Sequence, residues 1–411
     1  MRLAHLAALL LPLLAAGCNL ERTCRTTQRC DTQGFQCGAF VDGCGVRHDC
    51  GSCGAGRSCS RSDGTAGFCA LAGPLPRAGN PDGHCLSTLP PEAMPADASH
   101  PTAVVGTGTA ASCTHDALAA AVAAGGVITF DCGADPVTIP VTATIRLRTD
   151  RDTVIDGGNR VTLDGGFAVQ ILRWEDGNWL TSDRVLTLQH LVLQNGKATG
   201  TRLLAPLPAP CSQGWVDGQG GALFMRNGIL RAVDVTFAGN QAALVGPDTG
   251  GGAVYLLGAR PATFSSCSFL ANRASNAGAL GGLFATLSVY DSLFDGNDAT
   301  GSGANSDDAA RCPYVNENGQ HQVGSGGNGG AIYSDGVAMD VTVCGTQVRN
   351  NHAGAFGAAI FFTSNDQSRR GTLAIRDALM FQNVQDEAAW QWRPGISTNA
   401  ATVEPVNSDI R

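Results

Sequence analysis

Seven side chains stand out as able to do chemistry together: Trp215, Asp217, Asp307, Asp308, Tyr314, Glu317 and His321. Aromatic faces beside carboxylates and an imidazole can grip a sugar, and hydrolysis of a glycosidic bond needs two carboxylates placed around it. All seven fall in two stretches, 196–219 and 298–328, that interrupt an otherwise rhythmic chain. Each stretch holds one cysteine, Cys211 and Cys312, and loop reach allows a bridge between them. The competing reading is two polar loops packed on themselves. No metal or cofactor is expected.

The elements that must position these loops are written as a repeat. "GGALFMRNGILRAVDVTFAGN", "GGAVYLLGARPATFSSCSFLAN" and "GGLFATLSVYDSLFDGN" follow one another. Aligned on the closing Asn, the units end at Asn195, Asn240, Asn272, Asn297, Asn351 and Asn383. Three residues earlier stand Val192, Phe237, Phe269, Phe294, Val348 and Met380. Paired residues two apart precede each anchor, from Val185 and Thr187 to Leu373 and Ile375, and a step of two is strand periodicity. Units too small to bury their own apolar face must stack on their neighbours. Stacking puts Asn over Asn, predicting an amide ladder at one corner. Asp234, Asp291 and Asp377 share another column with Gln189, Ser266 and Gly345, which reads as a turn position. Asp156 and Asp164 read likewise.

The two ends are of a different character. "MRLAHLAALLLPLLAAGC" has the basic start, short apolar core and small residues of an export signal, placing the cut after residue 17. Residues 18–69 hold eight cysteines from Cys24 to Cys69 and few large apolar groups, so cross-links must hold them. Export favours disulfides there over a zinc reading of Cys50–Gly51–Ser52–Cys53. Residues 70–111 read as a Pro/Gly/Ala-rich linker. A capping helix follows, starting at Thr114 or His115 and ending at Gly125, with Cys113 and Cys132 placed to staple it. The repeat domain spans 112–395, and 396–411 reads as a tail that frays. A net charge of −8 argues against nucleic acid as a partner. The sole lysine, Lys197, reads as compositional bias without functional weight.

"GGA[ILV]" and "FxxN" resemble the paired signature of polymorphic outer-membrane-protein repeats, carried on a pectate-lyase-like fold. The resemblance implies an all-β protein: a right-handed parallel β-helix with an N-terminal helical cap, preceded by a small disulfide-rich module. "CG", "DGCG" and "CGSC" resemble a Cys-rich module of exported myxobacterial proteins. "LLAAGC" resembles a lipobox, which implies lipidation at Cys18 and an outer-membrane lipoprotein, although the same cut suits an ordinary signal peptidase and an extracellular protein. The polygalacturonase-like "NTD", "GHG" and "RIK" and the pectate-lyase-like "WIDH" are absent. The expectation is therefore a surface rod acting as an adhesin-like or glycan-binding display protein rather than an enzyme. Its partners would be a membrane, through the lipid, and a cell-surface glycan or protein. The alternatives are a polysaccharide lyase or glycoside hydrolase using the insert face, and a structural envelope protein.

Overall fold

The computed structural model describes residues 28, 30 and 35–411, except 54–56, 60–64, 68, 72–74, 76–77, 86–88, 203–210, 212–213, 215, 248, 316–318 and 320. Cys18, Trp215 and Glu317 thus lie outside the described residues, as does the lipobox.

Three sheets of 8, 16 and 4 strands form the body, and every pairing in them is parallel. Alternation decides which side chains face inward. On the strand Leu172–Glu175, Leu172 and Trp174 are fully buried while Arg173 and Glu175 turn outward. Like residues pair across strands: Phe237 pairs with Phe269, and Phe269 with Phe294. Their rings stack with centroids 4.8 and 4.5 Å apart in one apolar core. At the corner beyond, the Asn272 amide donates to the Phe237 carbonyl and to Asn297, and its oxygen accepts from the amide and backbone N–H of Asn240. Asn297, Asn351 and Asn383 continue these bonds.

The expectation of a regular right-handed parallel β-helix with an N-terminal helical cap, preceded by a small disulfide-rich module, is corrected by this topology. Among the described residues the chain is mostly β but builds six sheets of unequal size, three of them antiparallel strand pairs. Successive ladder asparagines are separated by 25, 32 or 54 residues, so the units are not uniform. The largest sheet also branches. Its strand Thr153–Asp164 takes Gly126–Phe130 and Val137–Pro140 end to end on one side and Val185–Gln194 on the other.

Disulfides and straps cross-link these sheets. The described residues between 75 and 105 include several that lie against the body, with Cys85 bonded to Cys344 across 259 residues of sequence. Asn80 donates from its backbone N–H to the Asp291 carbonyl, and its side chain donates to the Gly345 carbonyl. A Cβ at Gly345 would meet the Asp291 carboxylate and the Cys85 Cβ, so only glycine admits the strap at this depth. Further along, Ala96 exchanges two hydrogen bonds with the Gln189 side chain, and Ala103–Val105 pairs with Gly126–Phe130. After residue 395, Ile396–Thr398, Thr402–Val406 and Asp409–Ile410 each add a parallel strand.

The first repeat unit needs a shift of one residue. Strand Val185–Gln194 keeps a single register against Ile229–Ala238, one position away throughout from an alignment on Asn195. Leu193, not Val192, therefore pairs with Phe237, and Leu186 and Leu188, not Val185 and Thr187, occupy the core positions. Gly196 rather than Asn195 meets the ladder, its N–H donating to Asn240, while the Asn195 amide turns to Asp164. His190, Asp234, Ser266, Asp291, Gly345 and Asp377 all have positive φ and form the turn column. The helix His115–Ala124 has Thr114 as its N-cap, and a disulfide joins Cys113 to Cys132 beside it.

Candidate functional site

The second insert forms an antiparallel hairpin, Ala304–Asp307 against Gln322–Gly326. A disulfide ties Cys312 to Cys211 of the first insert, and Val323 packs with both sulfurs. This hairpin gathers Asp307, Asp308, Tyr314 and His321, but not as a catalytic set. The Asp307 carboxylate accepts from the His321 N–H at 2.6 Å. Asp308 accepts from the N–H groups of Ala310 and Arg311, while the His321 ring bonds the Cys312 carbonyl. Asp308 caps its own turn, Asp307 accepts across the hairpin, and Asp307 and Tyr314 are both exposed. Among the described residues of this hairpin, both aspartates are engaged by backbone N–H groups.

Asp217 lies elsewhere. It lines a cavity of about 480 Å³ with Arg146, Arg173, Glu175, Lys197 and Arg202. Outward-facing positions of two neighbouring strands supply Arg146 and Arg173, which pair in register. Lys197 follows the offset corner, its N–H donating to the Val169 carbonyl, and Arg202 opens the first insert. One carboxylate organises the floor: Glu175 accepts from Arg173 at 2.8 Å and from Arg146 at 3.1 Å. The Arg173 bond, opposed by burial and helped by Arg146, holds the Glu175 carboxyl below its usual range. Gln170 donates to the carbonyls of Gln219 and Gly220, which turns its oxygen toward Arg173. The Arg173 guanidinium also lies 4.3 Å over the Phe224 ring, so its plane is fixed on both sides. Burial raises the Asp217 pKa, yet bonds from the Thr201 hydroxyl and from the N–H groups of Arg202 and Thr201 bring it below the usual range. Burial lowers the Lys197 pKa.

The cysteine module offers a different cluster. The sulfurs of Cys37, Cys53 and Cys69 lie within 4.8 Å of one another. Cys37 is bonded to Cys59 and Cys53 to Cys69, so the cluster is two disulfides side by side. Thiolate, not disulfide sulfur, binds metal, so these residues do not fit a zinc centre in this state. Cys50, of the zinc reading, is bonded to Cys30.

Comparison with protein-family models, with curated proteins and with solved structures found no match. The resemblance to polymorphic outer-membrane-protein repeats on a pectate-lyase-like fold, and to a myxobacterial cysteine module, is therefore not upheld, and the unequal, cross-linked sheets count against it. With it goes the lipid-anchored, adhesin-like or glycan-binding display rod. In its place stands a folded, disulfide-rich, mostly β domain with a cluster of cysteine sulfurs and one cationic cavity.

Sequence reasoning missed that cavity. Its cations come from two strands, a corner and an insert, and carry no motif. The one available signal was Lys197, a solitary lysine at the edge of an insert.

Proposed function

We propose that this is an exported protein that binds a small anionic ligand in the cavity between Arg146, Arg173, Lys197 and Arg202. The N-terminal signal and the disulfides support export, since such bonds persist in oxidising compartments. One observation carries the ligand class. A chain of net charge −8 places four cationic side chains against two carboxylates around one concavity. Fixed guanidinium planes suit the flat, divided charge of a carboxylate, sulfate or phosphate.

Titration calorimetry with sulfate and with citrate tests this. Arg173→Gln should weaken binding about tenfold, the usual effect of losing one charge-assisted hydrogen bond. Binding that Arg173→Gln leaves unchanged, or no binding at all, would remove the cavity from consideration.

A further inference from the structure

Four cysteines of the module are placed so that each of two disulfides has the other to exchange with. The Cys37 sulfur lies within 4.8 Å of both sulfurs of the Cys53–Cys69 bond. Its own partner, Cys59, stands directly opposite Cys69 in the antiparallel pair Arg57–Cys59 and Cys69–Leu71. Facing positions of such a pair have Cα atoms about 4.5–5.5 Å apart, inside the range that a disulfide spans. A second pairing, Cys37–Cys53 with Cys59–Cys69, is therefore open to the same four sulfurs with the strands kept in place. The Cys69 sulfur also lies 3.7 Å from the Gln36 carbonyl, an acceptor that a thiol can use and a disulfide sulfur, which has no proton, cannot. Cross-links present only to restrict the unfolded chain need no second partner within reach. Here both halves of Cys37–Cys59 have one. We propose that this cluster is a thiol–disulfide exchange site, at which a small thiol interconverts the two pairings.

The exchange is redox-neutral. The thiolate of the small thiol attacks the half-buried Cys59 sulfur; an S–S bond forms there, the Cys37–Cys59 bond breaks, and Cys37 leaves as thiolate. Cys37 is buried, and a thiolate is poorly solvated there. It attacks the neighbouring Cys53 sulfur, and Cys69 leaves in turn. The Cys69 thiolate then attacks Cys59 across the ladder and expels the small thiol unchanged. Two disulfides remain, and no electron is gained or lost. The change reaches the body through Arg57, which shares a strand with Cys59 and lies against Gly296. Exchange frees that strand from Cys37 and closes it on its own hairpin.

Trypsin makes the pairing readable, because cleavage at Arg47, Arg57 and Arg61 puts Cys37, Cys53, Cys59 and Cys69 in four different peptides. The full-length oxidised protein is held with substoichiometric glutathione, quenched in acid, alkylated, and digested without reduction for mass spectrometry. The Cys59 peptide, linked at first to that of Cys37, should become linked to that of Cys69, with no net gain of thiol. This link should form on the order of tenfold faster than any new link to Cys30 or Cys50, since neighbouring sulfurs act at high effective concentration. In guanidinium the preference should vanish. Cys37→Ser leaves Cys59 as a thiol facing Cys69, so this variant should form the Cys59–Cys69 link with no thiol added and free Cys53. Persistence of Cys53–Cys69 in a folded variant overturns the proposal. So does a wild-type Cys59–Cys69 link that never forms, or forms no faster than links to Cys30 or Cys50, and this holds whether or not the variant folds.

Discussion

The cysteine module and the strand-built body solve the same problem by opposite means. Among the described residues of 35–71 the buried side chains are few, chiefly Cys37, Asp42 and Ala66. Order there comes from Cys30–Cys50, Cys37–Cys59 and Cys53–Cys69, and from Asp42, which accepts from Cys44, Val46 and His48. The body instead buries a continuous core running from Val105 to Ile396 and seals one corner with amides. A segment without a core depends on restricting its unfolded chain, whereas a stacked one depends on contacts in the folded state.

Full reduction is the harshest way to break this comparison. The module should lose its structure, with amides of Ala39–Val41 and Arg47–Asp49 exchanging as in an open chain. Amides of Val254–Leu257 should stay protected. Hydrogen exchange read by mass spectrometry checks both, and equal loss in the two regions would mean that the disulfides hold the body as well.

Within the body the largest single effect should come from the middle of the ring stack. Phe269 packs between Phe237 and Phe294 and meets Phe264 edge-on. Phe269→Ala should cost about 3–5 kcal/mol in a denaturant titration, through lost transfer energy and an unfilled cavity. Asn272→Ala should come close behind, at about 2–4 kcal/mol, because it strands the Asn240 N–H and amide in a buried place. A loss much under about 1 kcal/mol would show that water replaces the amide and that the ladder is incidental.

The asparagine and phenylalanine columns were legible because stacking repeats a physical demand at a fixed spacing. Where the demand was met by backbone, the sequence stayed silent. Residues 75–105 look like a linker by composition, yet Asn80, Cys85 and Ala96 dock mostly through main-chain groups, which any small residue can offer. The first unit was misread by one position because Asn195 looks like a closing residue, whereas Gly196 meets the ladder; the misfit of Thr187 was its only trace. The carboxylates of the inserts look like a site in sequence because the same residues that hold a sugar also cap turns. Only their hydrogen bonds tell the two apart.

The mildest test sharpens the comparison at the place where the two regions meet. Arg57 of the module is half-buried against Gly296, near Asp295 and Asp298 of the body. Asp298 also bonds Arg273 at 3.1 Å and the His352 ring at 2.8 Å, and His352 reaches Asp386 at 3.1 Å on its other nitrogen. The Asp298 bond, opposed by burial and aided by Asp386, raises the His352 pKa to about 9. A raised histidine stabilises the fold fully below its unfolded value of about 6.5 and loses that contribution as pH climbs through 9. Asp298 acts in the other direction. Its pKa is lowered, burial being outweighed by His352 and Arg273, so its contribution disappears only as pH falls below the ordinary carboxylate range. With the His352 side chain 41% exposed, solvent screening should keep the effect near 1 kcal/mol or less. Wild-type protein and His352→Gln, unfolded in urea at pH 6 and at pH 9.5, should differ at the lower pH and converge at the higher. Since Arg57 shares this corner, the amides of Arg57–Cys59 should gain exchange at high pH beyond the ordinary base-catalysed rate in wild type but not in the variant. A pH-independent difference between the two proteins would mean that His352 acts by shape, and that the module is seated on the body without help from its charge.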